Sequence, residues 1–115
     1  MRRILIVEDE FLLAFHLESL LEDMGHQVIG TASRITEALV LAQDAEIDFA
    51  ILDINVAGTP SFPVAEILRQ RNIPFVFASG YGSGGLVDGY RQETILRKPY
   101  ELQDLKQAIA AVVSR

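Results

Sequence analysis

The sequence predicts an α/β fold, a doubly wound five-stranded parallel sheet. Three observations carry this. Apolar, β-prone runs alternate along the chain with stretches of helical periodicity. The strand-like runs are continuously apolar instead of alternating with polar residues, as expected when helices cover both sheet faces. Polar, chemistry-bearing residues stand just after the runs, where the carboxyl ends of a parallel sheet share one edge.

The elements follow in order. Arg3–Val7 (RILIV) reads as the first strand. From Phe11 to Met24, Leu13, Leu17, Leu20, Leu21 and Met24 form a helical stripe, and Gly25 supplies the stop. Gln27–Ala32 is the second strand. Ser33 is expected to cap a helix whose inner face is Ile35, Ala38, Leu39 and Ala42. Asp48–Asp53 is the third strand, and Pro63 is expected to open a helix with Val64, Ile67, Leu68 and Arg71 on one side. Pro74–Ser79 is the fourth strand. Five of the eight glycines fall between Gly80 and Gly89, so Gly80–Arg91 reads either as a flexible surface loop or as a weak fourth helix. Thr94–Arg97 is the fifth strand. The last helix starts near Glu101, with Leu102, Leu105, Ile109 and Val112 on one face.

At 115 residues, half of them hydrophobic, the chain is expected to be one domain, residues 1–115, with a single core. The absence of cysteine excludes disulfides, thiolate metal sites and cysteine nucleophiles. No apolar run reaches membrane-spanning length, and the run after Arg2-Arg3 is too short for a secretion signal. A cytoplasmic location without membrane contact is the expectation. A net charge of −6 with scattered Lys and Arg disfavours nucleic acid as a partner.

The strand ends carry the chemistry. Glu8 and Asp9 follow the first strand, Asp53 ends the third, Ser79 ends the fourth, and Lys98-Pro99 follows the fifth. Each has an ordinary reading alone: acids favour a helix N-terminus, Asp forms turns, and a serine after a strand is a loop hydroxyl. Together, three converging carboxylates repel one another unless a cation relieves them, and an all-oxygen set suits Mg²⁺. A lysine and a hydroxyl beside them suit the charge of a phosphoryl group, with Asp53 free to act as nucleophile.

In its motifs "ILIVEDE", "DFAILDIN", "FAS" and "LRKPYELQDL" the chain resembles the receiver domain of two-component response regulators, over essentially its full length. That resemblance implies a flavodoxin-like sheet in the order 2-1-3-4-5. It implies that Asp53 accepts a phosphoryl group from a sensor histidine kinase or phosphotransfer protein. Asp9 would bind Mg²⁺ directly, Glu8 through water, and Asn55 through its backbone carbonyl. Ser79 would be the switch hydroxyl and Lys98 the phosphoryl contact, followed by a cis bond to Pro99. The module would signal to a downstream protein and would be no enzyme beyond its own phosphotransfer and autodephosphorylation. It fits equally a stand-alone regulator and a receiver within a longer protein.

One position departs from the pattern. Receivers carry Tyr or Phe three residues before the lysine, and here that residue is Ile95. "FASGYG" resembles the subfamily named for its FAT-GUY motif, with Ser79 replacing threonine. If they form a weak helix that reorders on phosphorylation, residues 80–91, with Tyr81, are therefore expected to report the state of Asp53. His16 and His26 are read as incidental to function, and Phe49, Phe75 and Phe77 as core.

Two other classes share parts of this chemistry. An aspartate-nucleophile phosphohydrolase would need a second acid two residues after the nucleophile, where this chain has Asn55. A flavodoxin-like nucleotide binder would need a glycine- or hydroxyl-rich cradle after the first strand, where this chain has Glu-Asp-Glu-Phe.

Overall fold

The computed structural model describes residues 1–80, 86–87 and 89–113. Its order is β1 (Arg3–Val7), α1 (Phe11–Asp23), β2 (Gln27–Ala32), α2 (Ile35–Asp44), β3 (Phe49–Asp53), β4 (Asn55–Val56), β5 (Thr59–Pro60), α3 (Phe62–Gln70), β6 (Phe75–Ser79), β7 (Ile95–Arg97) and α4 (Leu102–Val113). Five strands form one parallel sheet in the order β2-β1-β3-β6-β7. This is the expected 2-1-3-4-5 order once the β4-β5 hairpin is set apart.

Each central strand sends alternate side chains to opposite faces. Leu5, Val7, Ala50, Leu52 and Phe77 pack with Ala38, Ala42, Val64, Ala65 and Leu68 from α2 and α3. Ile4, Ile6, Ile51, Val76 and Ala78 pack with Leu17, Leu21, Leu105 and Ile109 from α1 and α4. Two buried faces explain the unbroken apolar runs. Phe49, Phe75 and Phe77 are buried as expected.

Helix ends show where local reading succeeded. Gly25 adopts φ 88°, its N–H donates to Glu22 O, and the His26 N–H donates to Leu21 O, closing a Schellman motif. Helix α3 ends in the same motif, with Asn72 at φ 58° in place of glycine.

Several expectations are corrected. Ser33 does not cap α2: Arg34 is the N-cap residue, and the Ser33 N–H instead donates to the Glu37 carboxylate at 3.1 Å. Pro63 does stand in the first turn of α3, as expected, with Phe62 the first helical residue. Arg71 does not share the inward side. It lies exposed at the end of α3, and its guanidinium donates to the carbonyls of Ala42 and Ala45 at the carboxyl end of α2. On α1, Ala14 with Leu17 and Leu21 forms the fully buried line, while Leu13, Leu20 and Met24 are half-buried.

Four helices are present among the described residues. Residues 86–87 and 89–94 are turn and irregular structure, so of the two readings of this segment these residues fit the loop and show no helix. Residues 81–85 and 88, which include Tyr81, lie outside the described residues.

Candidate functional site

The sheet register brings the predicted residues together. Val7 pairs with Leu52, Asp53 with Ala78, and Ser79 with Arg97. The ladder continues a step beyond the strands: the Glu8 N–H donates to Ala32 O at 2.9 Å, Ile54 N–H to Ala78 O at 3.3 Å, and Lys98 N–H to Ser79 O at 2.9 Å. Backbone hydrogen bonds thus hold the starts of three loops at one edge before any side chain acts. The Lys98-Pro99 bond is cis, as the resemblance implied.

Glu8, Asp9 and Asp53 each offer a carboxylate oxygen within 4.8 Å of the others. Glu8 is buried, Asp9 exposed, and the Asp53 side chain 15% exposed. Lys98 Nζ lies 2.6 Å from Glu8 Oε1 and 3.3 Å from Asp53 Oδ2. The other Glu8 oxygen, Oε2, accepts the Glu10 N–H at 3.1 Å. Asp53 is therefore paired with a cation although it ends an apolar strand.

The charges do not balance. Burial and the neighbouring Glu8 charge push the Asp53 carboxyl up to about 6, against the opposing pull of Lys98. Burial works against the Lys98 charge, yet its hydrogen bond to Glu8 and the Asp53 carboxylate raise its pKa. Tyr100 is raised as well, by burial and then by the charges of Glu8 and Asp53. One ammonium among three carboxylates leaves the cluster net negative, and the all-oxygen donor set suits a hard dication.

Asp53 opens onto a cleft of about 540 Å³ lined by Asn55, Ser79 and Lys98, with Glu10 and Gly80 also on its wall. Ser79 is buried. Asn55 is exposed, at the head of the β4-β5 hairpin. The cleft's apolar wall comes from Ile54, Pro60, Phe62 and Val87. Those four were not singled out from sequence. Only Pro63 hinted that a helix N-terminus, and hence Phe62, would sit near the third strand's end.

The hairpin was also missed. Ala57 and Gly58 both take positive φ, 51° and 85°, in a two-residue turn between Val56 and Thr59. Asn-Gly would have announced it, but Ala-Gly does not.

Comparison with known proteins identifies the family and the fold. The family model described as response regulator receiver domain matches residues 4–110. The solution structure of SdrG from Sphingomonas melonis Fr1 aligns with a TM-score of 0.87 at 42% identity, over 96% of this chain and 95% of that one. Among curated relatives, the transcriptional regulatory protein PdtaR of Mycobacterium tuberculosis is 33% identical over 99% of this chain and 58% of its own length. The phyllosphere-induced regulator PhyR of Methylorubrum extorquens is 36% identical over 93% of this chain and 42% of its own. The chain spans about half the length of these two curated relatives.

Proposed function

The chain belongs to the response regulator receiver domain family, and from that premise we propose that Asp53 accepts a phosphoryl group from a sensor histidine kinase or phosphotransfer protein. The carrying observation is the cluster of Glu8, Asp9 and Asp53 within 4.8 Å, with Lys98 on two of the three.

In this reading Asp53 is the nucleophile, and its carboxylate attacks phosphorus while the bond to the donor breaks. Asp9, Glu8, Asp53 and the Asn55 backbone carbonyl would hold Mg²⁺, Glu8 through water. When bound, the ion neutralises charge on the carboxylates and on the entering phosphoryl oxygens. Lys98 turns from Asp53 to a phosphoryl oxygen, its charge kept available by the buried Glu8. Ser79 donates its hydroxyl to another. Loss of the phosphoryl group to water resets the module. The signal passes to a protein partner by conformational change, and the reactions are those of a cytoplasmic signalling module acting on itself.

Incubation with phosphoramidate and Mg²⁺ tests the assignment. Wild type is expected to gain one phosphoryl group, acid-stable and base-labile, and Asp53→Asn none. A modified Asp53→Asn protein would place the acceptor elsewhere.

A further inference from the structure

Ile95 on β7 presents neither a ring nor a polar tip beside the Asp53 cleft. The described residues contain a contact chain that links the cleft to the surface. Phe62, on the cleft wall, lies 5.1 Å from the Tyr90 ring and 5.5 Å from Phe77, centroid to centroid. Tyr90 meets Phe77 edge-on at 6.0 Å. Its outer end is clamped: the Arg69 guanidinium sits 4.3 Å from the ring centroid, and the hydroxyl donates to Glu66 at 3.0 Å. Arg69 also donates to Gly89 O at 3.0 Å and pairs with Glu93 at 2.7 Å.

With Arg69 on its face and Glu66 on its hydroxyl, the half-buried Tyr90 ring is held in one discrete position. That position accompanies a free Asp53 carboxylate, since Lys98 is engaged with Asp53 and Glu8. A phosphoryl group on Asp53 would draw Lys98 away and enter the cleft that Phe62 walls.

We propose that Tyr90 is the positioning residue that couples the Asp53 cleft to the α3 surface, through Phe62 on one side and the Arg69–Glu66 clamp on the other. This rests on the reading of Asp53 as phosphoacceptor. In this proposal the clamp belongs to the free-carboxylate state and opposes the phosphorylated one, so weakening it favours the latter.

The test uses beryllium fluoride with Mg²⁺ as the phosphoryl mimic, on 3-fluorotyrosine-labelled protein. The Tyr90 signal is assigned by its loss in Tyr90→Phe. On adding the mimic it is expected to shift, and Tyr90→Phe and Arg69→Met are each expected to bind the mimic about fivefold more tightly, the factor that one hydrogen bond's net contribution carries. Lower thermal stability with mimic affinity within about twofold of wild type would mark a purely structural ring and overturn the proposal. The two readings separate at the backbone amides. If Ser79 and Lys98 amides respond while the Tyr90 signal stays still, this inference falls and the phosphoacceptor reading stands. If the wild type does not bind the mimic at all, both fall.

Discussion

Replacing Asp53 by Asn should stabilise the metal-free protein above neutral pH and lose that advantage in acid. In the fold the carboxyl holds its proton up to about pH 6, because it is buried and faces Glu8, whereas its ordinary value is 3.8. Between these values the native state binds more protons than the unfolded state, so stability falls as pH rises through the window. The difference between 3.8 and about 6 corresponds to about 3 kcal/mol. That figure is a ceiling, since the side chain is 15% exposed and water screens part of the interaction. Asn keeps the shape and cannot ionise, so the variant lacks this slope. Relative to wild type it should gain up to ~3 kcal/mol between about pH 4 and pH 7.5, or roughly 10 °C in melting temperature for a domain of this size. Thermal melts of both proteins in a chelating buffer across that range measure it. Millimolar Mg²⁺ should then stabilise the wild type alone and narrow the gap. Parallel stability curves for the two proteins from pH 4 to 7.5 would refute the placement of the electrostatic strain on Asp53.

Asp9→Ala should abolish the Mg²⁺-dependent rise in melting temperature and phosphoryl uptake from phosphoramidate, while changing metal-free stability little because Asp9 is exposed; an unchanged Mg²⁺ titration would remove Asp9 from the metal site. Lys98→Met should destabilise the fold by about 3 kcal/mol at pH 7, since it leaves the buried Glu8 without its 2.6 Å partner; urea denaturation checks this, and a loss below about 1 kcal/mol would mean that water serves Glu8 equally well. Ala57→Asn should stabilise by about 1 kcal/mol, because Asn tolerates the left-handed φ of 51° and Asn-Gly is the preferred pair for this turn; lower stability in thermal melts would argue against that turn conformation.

Local signals sufficed wherever one residue type solves one local problem. Gly25 ends α1 because the left-handed position costs glycine nothing, and the run Arg3–Val7 is a strand with the expected bounds because both of its faces are covered. The same logic failed at Ser33. A hydroxyl there can cap a helix, but the chain gave the N-cap position to Arg34 and used Glu37 to reach back. Arg71 fitted the helical period of its neighbours, yet its partners are carbonyls at the end of another helix, 26 and 29 residues away in sequence.

What the sequence by itself determined is the order of the elements and the identity of the polar residues at the strand ends. Both follow from apolar periodicity and from the rule that a parallel sheet collects its carboxyl ends on one edge. Only the tertiary structure decided how those residues divide their charge. Lys98 is 90 residues from Glu8 in sequence, and their separation of 2.6 Å exists because β1, β3, β6 and β7 lie side by side. Burial of Glu8, the raised carboxyl of Asp53, the cleft wall of Pro60 and Phe62, and the Arg69 grip on Tyr90 all depend on packing between distant segments. Desolvation and pairwise charge are set by three-dimensional neighbours, and no window along the chain contains them.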